Sequence, residues 1–322
     1  MTSRERTRRA VQMQGPDRIP MIYVNRDFEK SDLRVLDVAR QWGGAKHSAW
    51  GFAFERLDET MGQPKEPSFR TWEEFKSLRA PDPHDPGRFA HVPGVMREHG
   101  EKYYVAGLGL SGFTLMSCMR GFAELLEDFY AEPEWVAKLA DMVFGFEEAV
   151  IAQLGGRGFD AVHFGDDWGS QNGLFISPAL WRSFFKPRYK RQFDLAHSLG
   201  LDVYFHCCGQ IGDILPDFIE IGVDIMNVSQ PNLFDIEKLG AEFGGKTCFM
   251  CPVSYQTTSL SGTREEIFAA VRRMVESLGR FNGGFIGYME EYHSIGLSDA
   301  NYRHCEDAYN AFATLGLEKG GK

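Results

Sequence analysis

Asp202-Val-Tyr-Phe-His-Cys-Cys-Gly-Gln210, with the run that follows it to Asp224-Ile-Met-Asn-Val228, sets the fold. Val203, Tyr204 and Phe205 are β-formers and read as a short buried strand that Gly209 ends. Ile211, Ile214, Leu215, Phe218 and Ile219 then recur at helical spacing, and Asp224–Val228 is the next strand. Strand, helix, strand at this length is a βαβ unit, which requires a parallel sheet. Alternation along the first strand puts His206 and Cys208 on one face and Cys207 on the other. An imidazole and a thiol side by side at a strand end are half of a zinc site.

Working outward, the same unit repeats. Downstream lie helix Ile236–Phe243, strand Thr247–Cys251, helix Arg264–Leu278, strand Phe285–Met289 and helix Ser298–Thr314. Upstream lie helix Pro133–Leu154, strand Ala161–Phe164 and helix Pro178–Leu199. The first part of the chain is less regular. Ser3–Gln12 reads as a helix, Ile19–Val24 as the first strand, Asp32–Gln41 as helical and Trp50–Leu57 as the second strand. Residues 60–100 are rich in Pro and charge, with a helix start at Thr71, and Lys102–Gly107 is a third strand. Five clear strands plus three earlier ones make eight. That count predicts one α/β domain over residues 1–322, a (β/α)8 TIM barrel with an N-terminal helical extension. No GxGxxG or P-loop supports an open doubly wound sheet instead.

The bulk properties exclude several function classes. With 43% hydrophobic and 25% charged residues the chain has ample material for a core. A net charge of −10 argues against nucleic acid, whose phosphates demand a basic surface. No apolar run is long enough for a membrane span, and the start (Arg4, Arg6, Arg8, Arg9) lacks the apolar region of a secretory signal. Six cysteines, two of them adjacent, fit a reduced, metal-using, cytoplasmic setting, with Cys118, Cys248 and Cys305 structural.

In such a barrel the site lies where the strands end. Those ends read Asn25-Arg26-Asp27, Gly165-Asp166-Asp167-Trp168, His206-Cys207-Cys208, Asn227 to Gln230, Cys251 to Gln256 and Glu290-Glu291. Asp166 and Asp167 are the candidate acid-base residues, and alternation lets one of them enter the mouth. Asn25, Arg26, Tyr204, Asn227 and Gln256 are the candidates for holding a substrate, Arg26 having an ion pair with Asp27 or Asp166 as its structural alternative. The Met119–Phe122 region reads as core or pocket lining.

Together these residues resemble the uroporphyrinogen decarboxylase superfamily, and its zinc- and corrinoid-dependent methyltransferase branch most of all. The resemblance rests on Phe164-Gly-Asp-Asp-Trp-Gly169, Pro187, His206-x-Cys208-Gly209, Gly222-Val-Asp-Ile-Met-Asn227, Gln256, Leu260-Ser-Gly-Thr-Arg-Glu-Glu266 and Asn301. It implies His206 and Cys208 as zinc ligands. A third ligand is implied just after the last barrel strand, which counting back from Asn301 places at Glu291, with Glu290, Cys251 and His293 as substitutes. The activity implied is transfer of a methyl group from a methoxylated, aromatic donor to the Co(I) corrinoid (cobalamin) of a separate corrinoid protein, this chain having no corrinoid domain of its own. The alternative runs from methylcobalamin to a thiol; a third is a binding protein without turnover. The decarboxylases carry an Arg-rich loop after the first strand, whereas Tyr23-Val-Asn-Arg-Asp-Phe-Glu29 offers one arginine beside two acids, too little for a substrate with many carboxylates.

Overall fold

Short runs of β-branched and aromatic residues, each followed by an amphipathic stretch, fold into eight parallel strands ringed by helices. The computed structural model describes residues 1–41, 47–55 and 62–317. The barrel strands are β1 (Met21–Val24), β2 (Leu33–Asp37), β3 (Tyr103–Leu110), β4 (Ala161–Gly165), β5 (Asp202–Cys207), β6 (Ile225–Val228), β7 (Cys248–Pro252) and β8 (Phe285–Glu290). From β2 to β8 each strand pairs in parallel with the next, and β8 pairs in parallel with β1, while β1 and β2 form no ladder. The seam between β1 and β2 is held by the Asp32 N–H on the Met21 carbonyl at 2.8 Å and by the Ser31 hydroxyl, which accepts the Tyr23 N–H at 2.8 Å. The result is a (β/α)8 barrel, the architecture that the strand count predicts.

Alternation along each strand sorts side chains into two layers. Ile22, Leu33, Val105, Ala161, Tyr204, Ile225, Met250 and Ile286 fill the inside. Val162, Phe164, Val203, Phe205, Met226, Phe249 and Met289 point outward and are buried under the helices. The N-terminal helix Ser3–Val11, capped by the Thr2 hydroxyl on the Glu5 N–H, closes the end opposite the site. Val11 packs with the inner layer, Ala10 accepts the Gly284 N–H at 2.7 Å, and Arg4 and Arg8 each pair with buried Asp160 at 2.8 Å.

Two expectations for the first hundred residues fail. Asp32–Gln41 is not helical, because Leu33–Asp37 is itself the second barrel strand, in register with Tyr103–Gly107. Trp50–Leu57 does not enter the barrel: Ala53–Glu55 pairs antiparallel with Gln63–Glu66, while Arg56 and Leu57 lie outside the described residues. The helix expected over Pro178–Leu199 is two, Pro178–Phe184 and Lys186–Ser198, with Pro187 in the first turn of the second, where its missing N–H costs nothing. Among the described residues no helix is long and apolar enough to cross a membrane.

Candidate metal centre

β5 delivers His206 to the mouth of the barrel, and the strand period turns Cys207 away, where its buried Sγ accepts the Trp168 N–H at 3.3 Å. The chain then turns through Cys208 and Gly209, the latter at φ +86° with its α-carbon against the backbone of Gly169. Only a glycine suits a left-handed residue in such contact. The turn brings Cys208 Sγ to 3.7 Å from His206 Nε2.

The tautomer of His206 is set from behind. Asn227 donates Nδ2–H to the Met250 carbonyl at 2.8 Å, so its Oδ1 faces the imidazole and accepts the Nδ1–H at 2.6 Å. In the neutral, metal-binding form of the ring the lone pair is then left on Nε2, toward Cys208. Asp167 completes the group: Oδ1 accepts the Cys208 N–H at 2.8 Å and lies 3.7 Å from His206 Nε2. Ligand atoms of Asp167, His206 and Cys208 all fall within 4.8 Å of one another, the one such set of His, Cys and carboxylate groups among the described residues. Nitrogen and sulfur bound to one tetrahedral zinc stand about 3.5 Å apart, so this donor set fits the ion. Burial works against a charge on His206, but Cys208, Asp167 and the Asn227 oxygen outweigh it and bring the imidazole up to about 10. The three side chains form a candidate cation site.

Asp166 takes no part in it. The side chain is fully buried, accepting N–H groups from Phe113 at 2.9 Å and Thr114 at 2.7 Å, together with the Thr114 and Tyr189 hydroxyls. Burial pushes its carboxyl up to about 7. Its work is structural: it anchors the start of the helix Gly112–Arg120, and the Thr114 oxygen held by it accepts the Asp167 N–H at 2.8 Å.

Glu291, implied as the third ligand, lies outside the cluster. Beyond β8 the chain folds back on itself, and Glu291 accepts the His293 N–H at 2.9 Å and pairs with its ring at 3.1 Å. Among the substitutes, Glu290 accepts the hydroxyls of Tyr288 at 2.7 Å and Tyr292 at 2.6 Å, and Cys251 is buried on the outer face of β7. Arg26 is spent on Asp299 at 2.6 Å and on the Tyr302 ring at 4.5 Å. Asn25 reaches Glu290 at 3.5 Å, and Gln256 accepts from Asn232 at 3.2 Å, both on the rim. Asn227 is fully buried and supports His206.

Tyr204 faces a cavity of about 460 Å³ beside His206, walled by Ile22, Val24, Val35, Leu110 and Tyr288, with Asp37, Gln41 and His163 as further polar neighbours. Burial and the nearby His206 push the His163 imidazole down to about 3, so it is neutral. Sequence reasoning passed over His163, which sits unmarked in Ala161-Val-His-Phe164, although its odd position beside Ala161 already points it inward. Tyr255, whose hydroxyl lies 3.9 Å from Cys208 Sγ, was missed as well; its stretch carries no spacing signal. A second cavity, near Tyr130 and Phe175, holds no such cluster of ligands.

The comparisons with known proteins agree with this fold. A methyltransferase from Methanosarcina mazei has the same fold, with a TM-score of 0.75 at 14% sequence identity over 97% of this chain and 99% of that one. No curated protein matches the sequence. The family model for uroporphyrinogen decarboxylase (URO-D) matches residues 48–287, which span β3 to β7, the start of β8 and every residue of the His206–Cys208–Asp167 cluster. The chain belongs to the uroporphyrinogen decarboxylase family.

Proposed function

We propose that this barrel is a zinc-dependent methyltransferase that moves a methyl group from a methoxylated aromatic substrate to the corrinoid of a separate protein. The observation that carries the reading is the convergence of His206 Nε2, Cys208 Sγ and Asp167 Oδ1 at the edge of a largely apolar cavity. The fold likeness to a methyltransferase supports it. Zinc held by these three side chains supplies Lewis acidity toward the heteroatom that carries the methyl group. Asn227 fixes the imidazole that faces it, and Thr114 fixes Asp167. Ile22, Val24, Val35 and Leu110 take up the apolar body of the donor and keep water from it.

Decarboxylation of a substrate with many carboxylates has little support in this mouth. Among the described residues no Lys or Arg lines the cavity, and Arg26, the one arginine after β1, is tied to Asp299.

The test combines metal analysis of the purified protein with an assay in which methoxybenzenes and methoxyphenols are offered to free cob(I)alamin. About one zinc per chain and formation of methylcobalamin are expected. Absence of metal, or of any transfer by zinc-loaded protein, overturns the reading.

A further inference from the structure

Most polar groups along the cavity wall are already committed. Gln41 binds the Leu108 carbonyl at 3.2 Å and the Leu110 N–H at 3.0 Å. The Tyr288 hydroxyl donates to Glu290, Asp37 accepts the Arg40 N–H at 2.9 Å, and His206 is held by Asn227. Two groups differ. Among the described residues, neither the imidazole nitrogens of His163 nor the Tyr204 hydroxyl has a hydrogen-bond partner. Tyr204 is 3% exposed and His163 half-buried, and both line the cavity. Polar groups left without a protein partner on the wall of a largely apolar cavity favour a ligand that supplies the missing hydrogen bonds.

The two are neighbours by construction. His163 and Tyr204 are register partners on β4 and β5, and their rings meet edge to face with centroids 4.5 Å apart. The rings of His163 and His206 lie 6.3 Å apart, so whatever meets this pair sits beside the metal-binding cluster. A neutral imidazole offers one acceptor and one donor, and a phenol offers a donor. A hydroxyl, which both donates and accepts, satisfies the two together; a carboxylate finds no countercharge in either.

Resting on the methyltransferase reading above, we propose that His163 and Tyr204 bind an uncharged hydroxyl of the methyl donor, His163 accepting its O–H and Tyr204 donating to its oxygen. The substrate class is then a hydroxylated methyl ether of methoxyphenol type.

The experiment is calorimetric binding of 2-methoxyphenol and of methoxybenzene to zinc-loaded protein. Wild type is expected to bind 2-methoxyphenol about tenfold more tightly. Tyr204→Phe and His163→Phe should each cut that ratio at least about threefold while zinc content and methoxybenzene affinity hold. Equal binding of both probes by wild type overturns the proposal, as does survival of the full ratio in both variants. Methyl transfer to cob(I)alamin is scored separately. A binding preference without transfer upholds the hydroxyl site and ends the methyltransferase reading; transfer without the preference does the reverse.

Discussion

Asn227 and His206 form a relay pair on adjacent strands: the amide is fixed by the Met250 carbonyl at 2.8 Å and in turn takes the imidazole Nδ1–H at 2.6 Å. Replacing Asn227 by Leu removes the acceptor that sets the tautomer. Zinc affinity should fall about 10–100-fold, measured by competition with a chromophoric chelator. An unchanged affinity would remove Asn227 from the site.

The two candidates for the third ligand are separable. Asp167→Asn should lower zinc affinity by more than about tenfold, as loss of a direct ligand costs more than loss of a supporting group. Glu291→Gln should leave it unchanged, since that carboxylate is engaged with His293. The reverse pattern in the same chelator assay would restore Glu291 to the metal.

Thr114 bonds both aspartates of the β4 loop, donating to Asp166 and accepting from Asp167 at 2.8 Å each. Thr114→Val keeps the shape and deletes both bonds. Loss of about 1–3 kcal/mol in denaturant unfolding is expected, together with weaker zinc binding. A fall in stability with zinc affinity intact would confine Thr114 to packing.

Glu147 is buried beneath this loop, bonded to the Gly112 N–H at 2.9 Å and to Gln192 at 2.6 Å, and burial pushes its carboxyl up to about 8. Such a group binds its proton more tightly in the folded than in the unfolded chain. Its contribution to stability is therefore complete below about pH 4 and is lost as the pH climbs to about 8. Thermal unfolding of wild type should weaken between pH 6 and pH 9 by more than that of Glu147→Gln. Parallel curves for the two proteins would refute the assignment.

Gly209 is the hinge of the His206–Cys208 turn. Gly209→Ala would drive a methyl group into the Gly169 carbonyl at a left-handed backbone position. A loss of more than about 2 kcal/mol is expected, with zinc retained poorly even at permissive temperature. Wild-type melting would show that the two loops do not touch.

How far the sequence could be read depended on what each strand faces. β4 to β8 were legible because most inward and outward positions are apolar, with His163, His206 and Asn227 among the inward exceptions, and Gly, Asp or Pro marks an end of each. β2 was not. Its inward Val35 and Asp37 face the cavity rather than packed core, so the strand loses its pattern, and Leu33 with Leu36 imitates a helix. In the site, parity alone predicted the shared side of His206 and Cys208. Which of Asp166 and Asp167 turns inward depends on the path taken after the strand, as does the placing of Glu291, and no periodicity encodes that path.

The helix Ser3–Val11, with Val11 pressed into the base of the barrel and its arginines locked on Asp160, acts as a stopper. A tube plugged at its foot has to be loaded and emptied from the same doorway. In the methyl transfer proposed above, an acceptor protein settled over that doorway would also shut it, so small-molecule entry would come before acceptor docking, an order imposed by nine residues at the far end of the barrel from the His206–Cys208–Asp167 cluster.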